Sequence, residues 1–357
     1  MPMITRSEQA GWQVFFEASF SPKPDGRRPG RELPIHQTFS WAGTEWRIPA
    51  VYVCAQGLVA DFVRRVPAGS IQTFTGRWKL RPDEDRYDFT REERMQLDSE
   101  NPLTFDFSPT LLLNGRPLHS SDGRSTCWNP LPGCHDPDDL LLLEHYGLDP
   151  ADGWVFWRYN FPWKTKHKPP IRSLAVYMEA ARVSLPGPHI TVQREGDSFP
   201  FTGPDGIAHT LTVREYARET LPRSIFQDKD FLYPDHCIAL GYTVEPPLPR
   251  SAFHLMDCSE GDRPRRVHKP APYEPEQAIA AAVCVLGTEP DLPKETQVGV
   301  IGSANGPTAI FVASPQEKAR IQMRCDVSSL YFELPETLEW LMVFQKLPCG
   351  PVKRKLL

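Results

Sequence analysis

The sequence predicts a β-rich fold, all-β or α+β, with two related antiparallel β units in tandem and a small C-terminal α+β unit. Three observations predict it. The first is proline: 38 of 357 residues, roughly twice its usual share. Proline is excluded from helix interiors and central strands, so such a chain is cut into short elements joined by rigid loops. The second is a series of aromatic and β-branched runs bounded by breakers, which is the pattern of strands. The third is an echo. Gly153-Trp154-Val155-Phe156-Trp157-Arg158-Tyr159-Asn160-Phe161 and Gly11-Trp12-Gln13-Val14-Phe15-Phe16-Glu17-Ala18-Ser19-Phe20 both read, with one gap, as Gly-Trp, an aromatic-rich run and a closing Phe. Each is followed by a Pro/Lys/Arg-rich break, at 21–34 and 162–170. The echo implies two related units or a chance likeness of two aromatic strands.

These breaks suggest a first β-rich unit over 1–150 and a second over 151–260. A linker at 261–276 and a small α+β unit over 277–357 complete the chain. In the first unit, His36 to Trp41, Thr44 to Ile48 and Val51 to Cys54 read as short strands, with Ala42-Gly43 as a turn. Gly57 to Val66 reads equally as strand or short helix, because a continuous apolar run has no deciding period. Thr90 with Glu93 forms a capping box that opens a helix, and Asn101-Pro102 ends it. Leu111 to Leu113 leads into Asn114-Gly115, a hairpin signal. Ser120 to Pro137 reads as loop. Asp136 as cap, Pro137 at the first helical position and Gly147 as the stop then predict a helix around Leu140 to Tyr146.

In the second unit, Ile171 to Val183, His189 to Gln193, Phe199 to Phe201, His209 to Val213 and Cys237 to Val244 read as strands. Pro204-Asp205-Gly206 is a turn between two of them. The run from Glu260 to Glu276, with Arg263, Arg265, Arg266 and Lys269, reads as a solvated linker or as an anion-binding patch. Pro275 to Leu286 suggests a helix. Val298 to Ile301, Thr308 to Ala313 and Ser328 to Glu333 suggest strands, and Pro335 opens a helix through about Gln345.

A net charge of −5 argues against a general pull toward nucleic acid or anionic membrane. Residues 1–11 lack the apolar core of a signal peptide. The longest uncharged run, 296–316, is broken by Gly299, Gly302, Asn305, Gly306, Pro307 and Pro315, too polar and broken for a spanning helix. The expectation is a soluble, cytoplasmic chain with no membrane or nucleic-acid partner and no cofactor. Its eight cysteines show no disulfide spacing and are expected as thiols.

Val300-Ile301-Gly302-Ser303-Ala304-Asn305-Gly306-Pro307-Thr308-Ala309-Ile310-Phe311 resembles the Gly-Gly-Ala-Asp-Gly-Pro-Thr motif of the membrane β subunit of sodium-translocating decarboxylases. The chain as a whole also looks like bacterial proteins without an assigned activity that carry such a motif near the carboxyl terminus. In the decarboxylase family the acidic residue is implicated in handling the cation. Here Asn305 stands in its place and Ser303 replaces a glycine, and an amide cannot supply the charge. The resemblance therefore implies a similar local turn and not a pump. Ser303, Asn305, Gly306 and Thr308 are candidate ligand-binding residues, since backbone N–H groups with these side chains can hold an anion. The competing reading is a hairpin turn that needs Asn-Gly for its backbone.

Trp128 and Trp163 lie in loop-like contexts and are candidates for stacking on a sugar, whereas Trp12, Trp154 and Trp157 read as core. Cys127, Cys134, His135, His236, Cys237, His254 and Cys258 are of metal-ligating types. No tight Cys-x2-Cys pair occurs, and His254-x3-Cys258 is the nearest approach, so no metal site is expected. The favoured reading is a binding or interaction protein with an unidentified protein or small-molecule partner. The alternative is an enzyme of unrecognised type with a cleft between the two β units, whose sign would be a clustering of His135, Asp136, His236, Cys237 and Asp257 around one pocket. A Cys/His nucleophilic pair distant in sequence is compatible with it.

Overall fold

The computed structural model describes residues 12–20, 27–81, 89–134, 139–165, 168–226, 230–267, 297–301, 309–313 and 323–357, the two short central segments as backbone only. The protein is β-rich, with antiparallel sheets throughout. Contacts divide it into two units: one of residues 1–89, 93–184 and 346–357, the other of 90–92 and 185–345.

In the first unit, β1 (Arg31–Trp41), β2 (Thr44–Val53), β3 (Gly57–Val66), β4 (Phe107–Leu113), β5 (Arg116–His119), β6 (Asp122–Trp128), β7 (Gly153–Pro162) and β8 (Leu174–Ala180) form two sheets. One has the order β1-β2-β3-β7-β6. The other runs from the C-terminal strand Val352–Lys355 through β8 and β4 to β5. Leu58, Ala60 and Phe62 of β3 join Val155, Trp157 and Phe161 of β7 in a core that also takes Leu111 of β4 and Val176 of β8. The alternate residues of β3, Val59, Asp61 and Val63, are buried too. They lie beneath residues 12–20 and α3 (Leu140–Tyr146). A strand covered on both faces loses its alternation, which is why periodicity could not separate strand from helix there. A register shift in β2 between Arg47 and Val51 moves the inward set from Trp46 and Ile48 to Val51 and Val53.

Several expectations change here. The Gly-Trp echo does not make two units, because Trp12–Phe20 forms no strand, while β7 pairs with β3 from Val66↔Gly153 to Gly57↔Pro162. A boundary at 150/151 would cut a continuous sheet. Val14, Phe15 and Ala18 are nevertheless buried: the N-terminal run is a cover over the sheet. The expected loop at 120–137 contains β6, paired with β7 along its length. α1 (Ala68–Trp78) was not expected. α2 (Arg91–Glu100) follows the capping box, and Asn114 and Gly115 take the positive φ values of 50° and 78° that their hairpin needs. Gly147 stops α3 in the left-handed region.

Gly57 is required for close approach. A Cβ there would sit 2.2 Å from the Phe161 carbonyl oxygen and 2.4 Å from the Phe16 ring. Gly57→Ala should cost about 1–3 kcal/mol. Gly76→Ala in α1, with nothing within 4 Å, should gain about 0.5–1 kcal/mol. Urea titrations compare the two, and equal effects would show that the backbone at Gly57 moves freely.

The second unit contains β9 (Val183–Thr191), β10 (Ser198–Thr202), β11 (Ala208–Thr220), β12 (Phe231–Leu232), β13 (His236–Glu245), β14 (Phe253–Asp257), β15 (Arg265–Arg266), β16 (Gln297–Ile301), β17 (Ala309–Ala313), β18 (Arg324–Val327) and β19 (Glu339–Lys346). Sheets of order β10-β11-β13-β18 and β14-β19-β9 share one core, with Leu211, Leu240, Leu255, Trp340 and Met342 among its buried residues. The segment expected as a helix from Pro335 is instead β19, whose five central residues, Trp340 to Phe344, are all buried. An apolar run of this kind is read by its length and neighbours, not by its period. The strand expected at Ser328 to Glu333 reduces to one bridge, His236↔Tyr331. Within the expected linker, Arg265 pairs with Leu232 and Arg266 with Phe231. The expected unit over 277–357 is divided, since 346–357 belongs to the first unit and the residues before it to the second. β16 and β17 form an antiparallel pair, and the Pro275 to Leu286 helix lies outside the described residues. No helix among the described residues is long and apolar enough to cross a membrane.

Candidate functional site

Among the described residues of the second unit, a cluster of ionisable side chains lies at one end of the β14-β19-β9 sheet. Asp257 closes β14 opposite Trp340, and both are buried. The Asp257 carboxylate accepts hydrogen bonds from Arg91 Nη1 (2.7 Å), the Ser329 N–H (2.7 Å), Ser329 Oγ (2.9 Å) and the Tyr331 hydroxyl (2.9 Å). Such a fully engaged carboxylate fixes the end of the strand.

The next residue on each strand faces the other way, as twofold alternation requires. Cys258 follows Asp257, and its N–H donates to the Glu339 carbonyl at 3.0 Å. Glu339 precedes buried Trp340, and His189 of β9 precedes buried Ile190. Two neighbouring strands and the residue that follows β14 thus present Glu339, His189 and Cys258 together, with ligand-type atoms all within 4.8 Å of one another. His189 Nδ1 lies 2.9 Å from Glu339 Oε1 and 3.8 Å from Cys258 Sγ. On the far side of the ring, Nε2 lies 2.8 Å from Glu92 Oε2. The hydrogen bonds to Glu339 and Glu92 raise the His189 pKa. Burial pushes the Cys258 thiol up to about 11, with Glu339, Asp257 and Glu92 adding to the shift and Arg91 opposing it.

The sequence candidates fall elsewhere. Four residues along a strand span about 13 Å, so His254 and Cys258 cannot share an ion. Burial lowers the His254 pKa, opposed by Asp326 beside it. Of the expected enzyme cluster, His135 and Asp136 lie outside the described residues. His236 pairs through its backbone with Tyr331, whose hydroxyl reaches Asp257. Its ring contacts Thr220 Oγ1 at 2.9 Å, and Cys237 is buried. Ser303, Asn305, Gly306 and Thr308 lie outside the described residues as well.

Trp128 is at the end of β6 and not in a loop. Its ring is buried, and its indole N–H donates to the Pro150 carbonyl at 3.0 Å, so no face is open for a sugar. Trp163 follows β7 and packs half-buried on the core of the first unit; its indole N–H has no partner among the described residues.

The first unit has its own buried polar cluster. Asp61 and Arg158, cross-strand partners, are bound through Nε (2.8 Å) and Nη2 (2.6 Å). Tyr146 donates to Asp61 at 2.5 Å, and Trp12 donates to Tyr52 at 2.9 Å. Every group here is engaged, as a structural network requires. A shallow cleft of about 480 Å³ beside α1 is lined by Ser70, Thr73, Phe74, Arg77 and Glu100. Arg77 and Glu100 are paired across it at 3.0 Å.

The chain matches no protein-family model, no curated protein and no solved structure.

Proposed function

We propose that the protein works by binding and not by catalysis, and that the cluster of His189, Cys258 and Glu339 is its ligand site. The observation that carries this reading is the convergence of three ligating side chains, two on the neighbouring strands β9 and β19 and one on the residue that follows β14. Strands position side chains more rigidly than loops do, and the packed Asp257 beneath them anchors the row.

The enzyme alternative would use Cys258 and His189 as nucleophile and base. A nucleophilic pair needs the imidazole lone pair on the thiol. Here the ring is held by two carboxylates at 2.8 and 2.9 Å, while the sulfur is 3.8 Å away. That geometry favours an imidazole committed to its acids.

Alkylation by iodoacetamide at pH 7, followed residue by residue with mass spectrometry, tests the reading. Cys258 should react no faster than an ordinary free cysteine. A rate a hundredfold above that would overturn the binding proposal in favour of a nucleophile.

A further inference from the structure

We propose that His189, Cys258 and Glu339 bind a divalent transition metal of the zinc type through Nδ1, Sγ and a carboxylate oxygen, with Glu92 orienting the imidazole from behind; this rests on reading the cluster as a ligand site.

The donor set comes first. One imidazole nitrogen, one thiol sulfur and one carboxylate oxygen suit zinc and its borderline relatives. Calcium and magnesium take six or more oxygens and do not fit it. Geometry agrees. With bonds of about 2.0 Å to nitrogen and 2.3 Å to sulfur in a tetrahedron, those two atoms lie about 3.5 Å apart. Nδ1 and Sγ are 3.8 Å apart, so a shift of a few tenths of an ångström closes the site. Glu339 is the more exposed of the two acids, 56% against 40% for Glu92, and has room to rotate onto an ion.

The far side of the imidazole is also what a metal site needs. A ligating histidine usually gives its other N–H to a carboxylate, which fixes the tautomer and the ring. Glu92 is in that place, 2.8 Å from Nε2. Electrostatics points the same way. Three carboxylates, Glu339, Asp257 and Glu92, act on the sulfur, and Arg91 answers one of them through its ion pair with Asp257. Once His189 ligates as a neutral imidazole, Glu339 and Glu92 leave negative charge for a divalent ion to neutralise. Cys258 would bind as thiolate and His189 through the Nδ1 lone pair. The thiol proton and the Nδ1 proton held toward Glu339 pass to solvent, while Nε2 keeps its proton toward Glu92. Solvent-exposed ligands leave a fourth position for water.

Cobalt(II) replaces zinc spectroscopically and supplies the test. The untagged chain of residues 1–357, stripped with a chelator, should gain a near-ultraviolet thiolate-to-cobalt charge-transfer band at one equivalent of cobalt. Zinc should remove it and calcium should not. Cys258→Ser should abolish the band, and His189→Ala, at an exposed position, should weaken cobalt binding at least tenfold. Glu92→Gln should keep the band but weaken binding about tenfold. Bound zinc should protect Cys258 from iodoacetamide. Absence of the band, or its survival in Cys258→Ser, would overturn the metal proposal. If the band is absent while Cys258 still alkylates slowly, the metal fails and the binding reading stands. Fast alkylation of the metal-free protein removes the binding reading itself.

Discussion

Asp61→Ala is expected to destabilise the first unit by about 3–5 kcal/mol, the cost of leaving one member of a buried ion pair alone. Asp61 and Arg158 are both about 1% exposed. Burial opposes the charge on Arg158, and the Asp61 carboxylate outweighs that penalty, so the Arg158 pKa is raised. Without Asp61, the guanidinium keeps the Ser19 carbonyl at 2.8 Å and the faces of Phe20, Trp12 and Tyr52, none of which carries a negative charge. Tyr146 loses its carboxylate acceptor in the same step and keeps only the Tyr52 hydroxyl among the described residues. The double variant Asp61→Ala/Arg158→Met should recover most of the loss, since an apolar pair replaces a buried ion pair at little cost. Guanidinium titration followed by tryptophan fluorescence reads the first unit, because Trp340 is the one tryptophan of nine outside it. A single-variant loss below about 1 kcal/mol would show that water reaches Arg158.

Trp46→Ala should cost a similar amount, about 3–5 kcal/mol. Trp46 is fully buried and stacks on Trp157 at 5.1 Å with an interplanar angle of 17°. The rings of Trp41, Phe105 and Phe107 lie within 5.0–5.3 Å of it, and its indole N–H donates to the Trp41 carbonyl at 3.1 Å. Truncation removes the ring at the centre of an aromatic cluster drawn from β1, β2, β4 and β7 and their flanks. No single neighbour can fill the space, so the cavity term adds to the transfer term. Trp46→Phe keeps a ring and should lose less. Equal losses in the two variants would assign the effect to the lost indole hydrogen bond and not to packing.

Local chemistry was legible wherever a backbone requirement names its residue. Asn114-Gly115 announced a hairpin because few residues take positive φ there. Thr90 and Glu93 announced a helix start, and Gly147 a helix stop. Residues near Trp154 announced a strand. Trp12 to Phe20 has the same composition, yet it lies across the sheet as a cover. Aromatic composition says that a segment is buried; it does not say whether the segment pairs its backbone or only packs its side chains. β19 shows the same limit, since a continuous apolar run reads as helix or strand until its neighbours are known.

The candidate site was hidden for a different reason. His189, Cys258 and Glu339 are separated by 69 and 81 residues, and each is unremarkable among its neighbours in the chain. Cys258 was visible only through His254, a spacing that serves a helix and fails on an extended strand. The neighbouring order of β14, β19 and β9 brings the three into one row. By itself the sequence determined the β-rich class, the turns and the helix stop at Gly147, because these follow from proline, glycine and backbone requirements within a few residues. Only the tertiary structure decided the two units and the ligand row, because strand order and register bring together residues that no local spacing connects.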